Sequence, residues 1–261
     1  SNFVAGVNAG NSITSGGNYN TVVGDEAGTA ITTGDENTAT GYNSQLSTTT
    51  GNYNTSNGSG SLATNTTGSN NTAVGRDALV ANTTASNNTA VGYASLAANI
   101  TGGANVATGY YALNSNTTGT NNTANGYLAL RYNTTASNNT AIGRSALTAN
   151  TTASNNTAVG TSALTANTTG HSNVALGVEA LDANTTATYN TGLGFRTLSD
   201  NTTGASNVAV GAGALKTNTT ASNNTAVGYD ALFANTTGAS NTAVGALSLD
   251  ANTTGGDNTA V

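Results

Sequence analysis

The sequence predicts an all-β fold: a parallel β-solenoid, or β-roll, with 17-residue coils and about fifteen coils in 261 residues. Three observations predict it. A glycine recurs every 17 residues from Gly24 to Gly245, and an asparagine stands four residues before each of these glycines. A leucine stands four residues after the glycine in twelve successive units, from Leu62 to Leu249. Fixed periodicity of this kind is the signature of stacked repeats.

The length of the unit favours strands over helices. A helical repeat needs two helices and about 30 residues or more, and Gly, Asn and Thr are poor helix formers. The segments "TAV" and "AL" predict short strands, with turns at the glycine and at "NTT". The sequence has no Pro, which agrees with strands that are paired on both sides and donate their backbone N–H groups.

Stacking places the same column of each coil in contact with itself. The leucines are therefore expected to form one buried core column. The residue two before the glycine is small, as in Ala73, and the residue one before it is mostly Val, as in Val74. Because side chains alternate along a strand, either Val faces inward and Ala meets a neighbouring chain, or Ala faces inward and leaves a flat Thr–Val face outside. The predicted core leucines are Leu79, Leu96, Leu113, Leu130, Leu147, Leu164 and Leu181.

The first part of the chain departs from the pattern. Residues 1–57 keep the Asn and Gly columns but lack the Leu and "NTT" columns, with Gly28 and Gln45 at the leucine position. We interpret residues 1–57 as degenerate N-terminal coils, and residues 58–261 as regular coils of the same solenoid.

The asparagine before each strand is expected to be structural. Its column is unbroken, which predicts shielded side chains whose amides bond to neighbouring coils. Members of this structural column are Asn71, Asn88, Asn105, Asn122, Asn139 and Asn156.

A second asparagine column begins each "NTT" segment and forms an Asn-X-Thr sequon. Two alternatives follow: a stripe of glycans along one edge, or a ladder of amides at a turn, each bonded to the next coil. Ile100 replaces the middle residue in one unit, yet Thr101 remains, as a sequon tolerates. The twelve candidate glycosylation sites are Asn65, Asn82, Asn99, Asn116, Asn133, Asn150, Asn167, Asn184, Asn201, Asn218, Asn235 and Asn252.

The segment "NTAVGYDAL" resembles the "NSVAIG" repeats of trimeric autotransporter adhesin heads (YadA-like), and it is similar to repeat regions of bacteriophage tail fibres. The resemblance implies a left-handed parallel β-roll, trimerisation and an adhesive role. The family repeat is shorter than the present one, and the residue before Ala is Thr here.

Composition argues against several classes of function. Charged residues make up 6% and the net charge is −6, so the basic surface that nucleic acid requires is not expected. The sequence contains no apolar run of about 18 residues, so it predicts no membrane span. Cys is absent, which excludes disulfides and Cys-ligated metals. We expect no cofactor and no enzymatic activity, because the single histidine, His171, has no repeated partner for a catalytic or metal site.

Two smaller features have alternative interpretations. The acidic residues Asp25, Glu26, Asp35 and Glu36 are expected to form a solvated turn, with calcium binding as the alternative. A second feature is an aromatic series that follows the glycine in consecutive units. It is expected to form an aromatic ladder on the surface, with stacking on sugar rings as the alternative, and it consists of Tyr93, Tyr110 and Tyr127.

The sequence thus predicts a structural extracellular fibre or adhesin-like rod at a cell or virion surface. Self-association as a trimer or an end-to-end filament is expected, with covalent glycans if the sequons are occupied. The alternative is an ice-binding solenoid, or one that binds another flat surface, through the Thr–Val array of segments such as Thr72–Val74 and Thr89–Val91.

Overall fold

A computed structural model describes residues 1–14 and 16–261. Within these residues it contains sixteen short strands, all parallel, and no helix. The β-solenoid with 17-residue spacing and about fifteen turns is therefore confirmed. The chain forms two compact units, residues 1–135 and 136–261.

In the first unit, eight strands pair with one another in chain order. Paired residues are 17 apart, as in Thr72 opposite Thr89, except that Phe3 lies opposite Thr21 across the first pair. The strands are β1 (Phe3–Ala5), β2 (Thr21–Val23), β3 (Thr38–Thr40), β4 (Thr55–Asn57), β5 (Thr72–Val74), β6 (Thr89–Val91), β7 (Val106–Thr108) and β8 (Thr123–Asn125).

The second unit repeats this arrangement. Its eight strands also pair in chain order and in the same register, as in Thr157 opposite Val174. They are β9 (Thr140–Ile142), β10 (Thr157–Val159), β11 (Val174–Leu176), β12 (Thr191–Leu193), β13 (Val208–Val210), β14 (Thr225–Val227), β15 (Thr242–Val244) and β16 (Thr259–Ala260).

In each strand from β2 to β15, the middle residue faces the core and is buried. In β5, Ala73 is fully buried, whereas Thr72 is half-buried and Val74 is exposed. Of the two orientations that the sequence left open, the fold adopts the one with Ala inside and Thr and Val outside. Alternation along the strand then places a Thr column and a Val-rich column on the outer face of each unit.

The leucines form the inner wall opposite the alanines, and Leu79, Leu96, Leu113, Leu130, Leu147, Leu164 and Leu181 have no exposed surface. They sit in turns rather than in strands. Leu113 has a φ of 50°, a left-handed conformation that costs a residue with a side chain about 1–2 kcal/mol. Full burial of a leucine contributes about 1.5–3 kcal/mol, which offsets that cost.

The degenerate coils keep the fold by exchanging side chains within the core. Gly28 stands at a leucine position, and a Cβ there would lie 2.9 Å from Ile31 Cδ1 and 3.1 Å from Val22 Cγ1. Val22 replaces the usual alanine and Ile31 the usual sequon asparagine, so these two side chains occupy the space of the missing leucine. The boundary after residue 57 is a change in the sequence pattern. The strands on either side of it, β4 and β5, pair in the common register.

The repeated glycine is required by both conformation and space. Gly109 has a φ of +135°, and a Cβ on it would lie 2.5 Å from the carbonyl oxygen of Gly126 in the next coil. Only glycine adopts this region of conformational space without strain. The glycine column therefore sets how closely successive coils approach.

We expect Gly109→Ala to lower the free energy of unfolding by at least about 1–3 kcal/mol, because alanine is strained there and contacts the next coil. Gly103→Ala is the matched control, since Ala205 and Ala239 occupy the same coil position. Urea denaturation of both variants measures the difference. Equal stability of the two variants would contradict the role of the glycine column.

Candidate functional site

The asparagine before each strand forms the first ladder of buried amides. The Asn156 backbone N–H donates to Asn139 Oδ1 at 2.9 Å, and the Asn173 backbone N–H donates to Asn156 Oδ1 at 3.0 Å. The side chain thus supplies an acceptor to the next coil. The predicted structural column is fully buried, and it comprises Asn71, Asn88, Asn105, Asn122, Asn139 and Asn156.

The sequon asparagines form a second ladder. Asn99 Nδ2 donates to Asn82 Oδ1 in the preceding coil and to Gly102 O in its own coil, both at 2.9 Å. The same pair of bonds is formed by Asn184, at 2.9 and 3.2 Å. Each amide is therefore held by one bond along the stack and one bond across its own turn.

The two ladders meet at one carbonyl group in each coil. Gly102 O accepts a hydrogen bond from Asn88 Nδ2 of the first ladder at 3.0 Å and from Asn99 Nδ2 of the second ladder at 2.9 Å. A carbonyl oxygen has two lone pairs, so both are used. This shared acceptor explains why the two asparagine columns occur together in the regular coils.

This geometry bears on the two alternatives for the sequon column, a glycan stripe and an amide ladder. A sequon carries its glycan on Asn Nδ2, and in the fold that atom donates hydrogen bonds inside the coil. Eleven of the twelve sequon asparagines have no exposed surface, and Asn252 is half-buried. The structure favours the ladder alternative for Asn65, Asn82, Asn99, Asn116, Asn133, Asn150, Asn167, Asn184, Asn201, Asn218, Asn235 and Asn252.

The first threonine of "NTT" forms a third ladder, which the sequence pattern did not predict. Thr168 Oγ1 donates to Thr185 O at 3.1 Å, and Thr185 Oγ1 donates to Thr202 O at 3.2 Å. Ile100 takes this position in one coil and lacks the hydroxyl, although its carbonyl still accepts from Thr83 Oγ1 at 3.2 Å. The regular recurrence of this threonine in the "NTT" segments is the sequence signal for this ladder.

Aromatic side chains stack on the outer turn of the first unit. The Tyr93 and Tyr110 rings lie 5.4 Å apart at 18°, and those of Tyr110 and Tyr127 lie 5.4 Å apart at 10°. This is the surface ladder that the sequence predicted. Tyr111 adds an edge contact to Tyr110 at 4.5 Å, and its hydrogen bond with Tyr93 raises the pKa of the Tyr93 hydroxyl.

The acidic residues of the first coils bond to neighbouring backbone and side-chain donors. Asp25 accepts from the Val7 N–H at 3.1 Å, and Asp35 accepts from the Asn18 N–H at 2.7 Å. Across residues 1–14 and 16–261, no three His, Asp or Glu side chains are grouped to hold a metal ion. In that same part of the chain, no helix is long and apolar enough to cross a membrane.

Charged side chains gather on the outer turns of the second unit. Arg196 Nε donates to Glu179 Oε2, and this bond raises the pKa of the arginine. Burial raises the pKa of the Asp182 carboxyl, whose Oδ1 is buried without a hydrogen-bond partner. The charged form of the Asp182 carboxyl is therefore poorly solvated in the folded protein.

Comparison with known proteins gives no family for this chain. No protein-family model matches it, and no curated protein matches its sequence.

Two variants distinguish a role of the sequon in the ladder from a role in glycosylation: Asn167→Ala and Thr169→Ala. Both remove the same sequon, but only Asn167→Ala removes an amide of the ladder. Asn167 is buried and donates to Asn150 Oδ1 and Gly170 O, whereas Thr169 is exposed. We expect Asn167→Ala to lower the unfolding free energy by about 1–3 kcal/mol and Thr169→Ala by less than about 0.5 kcal/mol. Chemical denaturation of protein from a glycosylating host measures both, and equal losses would contradict the ladder.

Asp182→Asn is expected to raise the melting temperature at pH 7. A raised pKa means that the folded state binds the proton more tightly than the unfolded state does. The charged form therefore destabilises the fold above this pKa, and the penalty fades as the pH falls. Asn114 occupies the same coil position, so asparagine fits there.

Thermal melts from pH 7 down to pH 3 measure this effect, with Asp250→Asn, an exposed aspartate at the same coil position, as the control. The gain from Asp182→Asn should shrink as the pH falls. A gain that is constant with pH, or a matching gain from Asp250→Asn, would show that charge burial at Asp182 is not its cause.

Proposed function

We propose that this chain is a structural segment of an extracellular fibre or adhesin-like appendage. The observation that carries the proposal is the pair of buried asparagine ladders, which bond each coil to the next within both units. Side chains that are committed to coil-to-coil bonding serve cohesion along the stack. The same residue types then recur in every coil because every coil has the same neighbours.

The variable residues on the outer side of the strands support a role in presenting a surface to other molecules. The residue before the coil glycine is Val74 in one coil, Thr108 in another and Asn125 in a third, and all three lie on the outer side of their strands. Outer residues can therefore change while the inner columns stay the same. This division is typical of a scaffold that carries variable surfaces.

Self-association is part of the proposal. Apolar side chains lie exposed on the strand face of the second unit, among them Ile142 at 39% and Leu176 at 50%. A second copy of the chain that covered this face would remove that surface from water, at about 25 cal/mol for each Å². The resemblance of the repeats to trimeric adhesin heads and phage fibres supports the same assembly and a location on a cell or virion surface.

Immunogold electron microscopy of the native source tests this function. An antibody raised against the segment should label extracellular filaments or surface projections on intact cells or virions. Mild surface proteolysis should remove the label together with the projections. Labelling confined to the cell interior would contradict the proposal.

A second candidate, binding of ice or another flat surface, is favoured by the inward orientation of alanine. In the second unit, Thr157 pairs with Thr140 and Val174 on the outer face, which gives a regular Thr–Val array. If this array binds ice, Thr157→Lys should abolish inhibition of ice recrystallisation, while Thr169→Lys on the exposed turn should not. Wild-type protein without inhibition would remove this candidate and leave the structural role unaffected.

A further inference from the structure

The outer turn of the second unit contains a cleft where one coil lacks the aromatic side chain of the stack. Phe195 and Arg196 follow the glycine of one coil, and Tyr229 and Asp230 follow the glycine two coils later. The coil between them has Ala212 and Gly213 at these two positions. A cavity of about 330 Å³ opens there.

The first unit shows what fills this position in other coils. Tyr93, Tyr110 and Tyr127 occupy the coil position of Phe195, Ala212 and Tyr229, and the ring of Tyr110 is stacked between the other two at 5.4 Å from each. Two rings that are two coils apart therefore leave room for one ring between them. In the second unit this middle ring is replaced by the methyl group of Ala212.

A cation lies beside the gap. Lys216 lines the cleft together with Phe233, and its Nζ lies 5.2 Å from the centre of the Phe233 ring. In the described part of the chain, Lys216 forms no ion pair, since the two ion pairs there involve Arg76 and Arg196. Asp182 and Asp200 line an adjoining cavity with Lys216 but form no ion pair with it, so the Lys216 ammonium group can still donate to an anionic ligand.

Two of the acidic groups near the cleft, Asp230 and Glu179, interact with neighbouring side chains. Tyr229 donates its hydroxyl to Asp230, which raises the pKa of Tyr229, and Glu179 accepts from Arg196. These bonds reduce the repulsion that either carboxylate would exert on a bound anion. The stack itself needs none of these residue types, yet two of the three phenylalanines and the single lysine of the chain line this cleft.

We propose that this cleft binds a planar aromatic ring that carries a carboxylate group. The ring enters between Phe195 and Tyr229 at the level of Ala212 and completes the aromatic stack, a contact that favours offset or edge geometry. The carboxylate forms a charge-assisted hydrogen bond with Lys216. This site is independent of the structural role proposed above.

Fluorescence anisotropy with 2-naphthoate as the probe tests the proposal on the full chain. Wild-type protein should bind one probe per chain saturably. Lys216→Gln should weaken binding of 2-naphthoate at least about tenfold, which is the least that one charge-assisted hydrogen bond contributes. Neutral 2-naphthamide should compete with the probe equally well on wild-type and Lys216→Gln protein, because it carries no charge that pairs with Lys216.

Ala212→Tyr supplies the missing ring and should both abolish binding and raise the melting temperature. Ala246→Tyr, at the same position one coil after Tyr229, is the matched control and should bind the probe as wild type does. The proposal is overturned if the wild type does not bind saturably, or if Lys216→Gln binds 2-naphthoate as tightly as wild type does. Equal competition by cyclohexanecarboxylate, which has no aromatic ring, would also overturn it.

Discussion

Every regular coil depends on a hydrogen bond between buried carboxamides. In the second unit, Asn184 Nδ2 reaches Asn167 Oδ1 at 2.9 Å along the stack, far from water. Leaving a buried amide without a hydrogen-bond partner lowers the stability of the fold by about 1–3 kcal/mol. Each asparagine therefore requires an asparagine at the same position in the neighbouring coils. This mutual requirement explains the recurrence of asparagine in both columns better than any property of a single residue does.

The other columns follow from the coil spacing that the ladders and the glycines set together. Successive coils lie at β-sheet spacing, about 4.8 Å, so a side chain with a charge would repel its own copy in the next coil. Alanine fits inward at the strand because leucine fills the opposite wall. The leucines accept a left-handed backbone, as Leu147 does with a φ of 51°, because this turn directs their side chains into the core.

Much of the fold could be predicted from the sequence because it depends on period. The 17-residue coil, the parallel register and the first asparagine column all follow from spacing alone. The inward face of the strand could not be predicted, because Ala73 and Val74 are both apolar and either one suits a core. The left-handed backbone conformation of the leucines could not be predicted either, since leucine has no preference for that conformation.

The candidate sites show a different limit. The same motif, Asn-X-Thr, fits both a glycan acceptor and a buried ladder. Whether the Asn167 amide lies inside or outside the coil distinguishes these two roles, and the motif does not contain that information. The cleft beside Ala212 was visible in the sequence as a break in the outer columns. The sequence alone does not mark this break as a site, because small residues at one coil position are typical of ordinary variation. The stacked ring of Tyr110 shows what the same position holds in another coil.

The central claim is that both asparagine columns are buried and hydrogen-bonded in the folded protein. Hydrogen exchange of the side-chain amides, followed by NMR at neutral pH, tests it most directly. Asn156 and Asn167 should exchange far more slowly than the exposed Asn155, because their Nδ2 groups donate inside the coil. Exchange of all three side chains at the same fast rate would contradict the account.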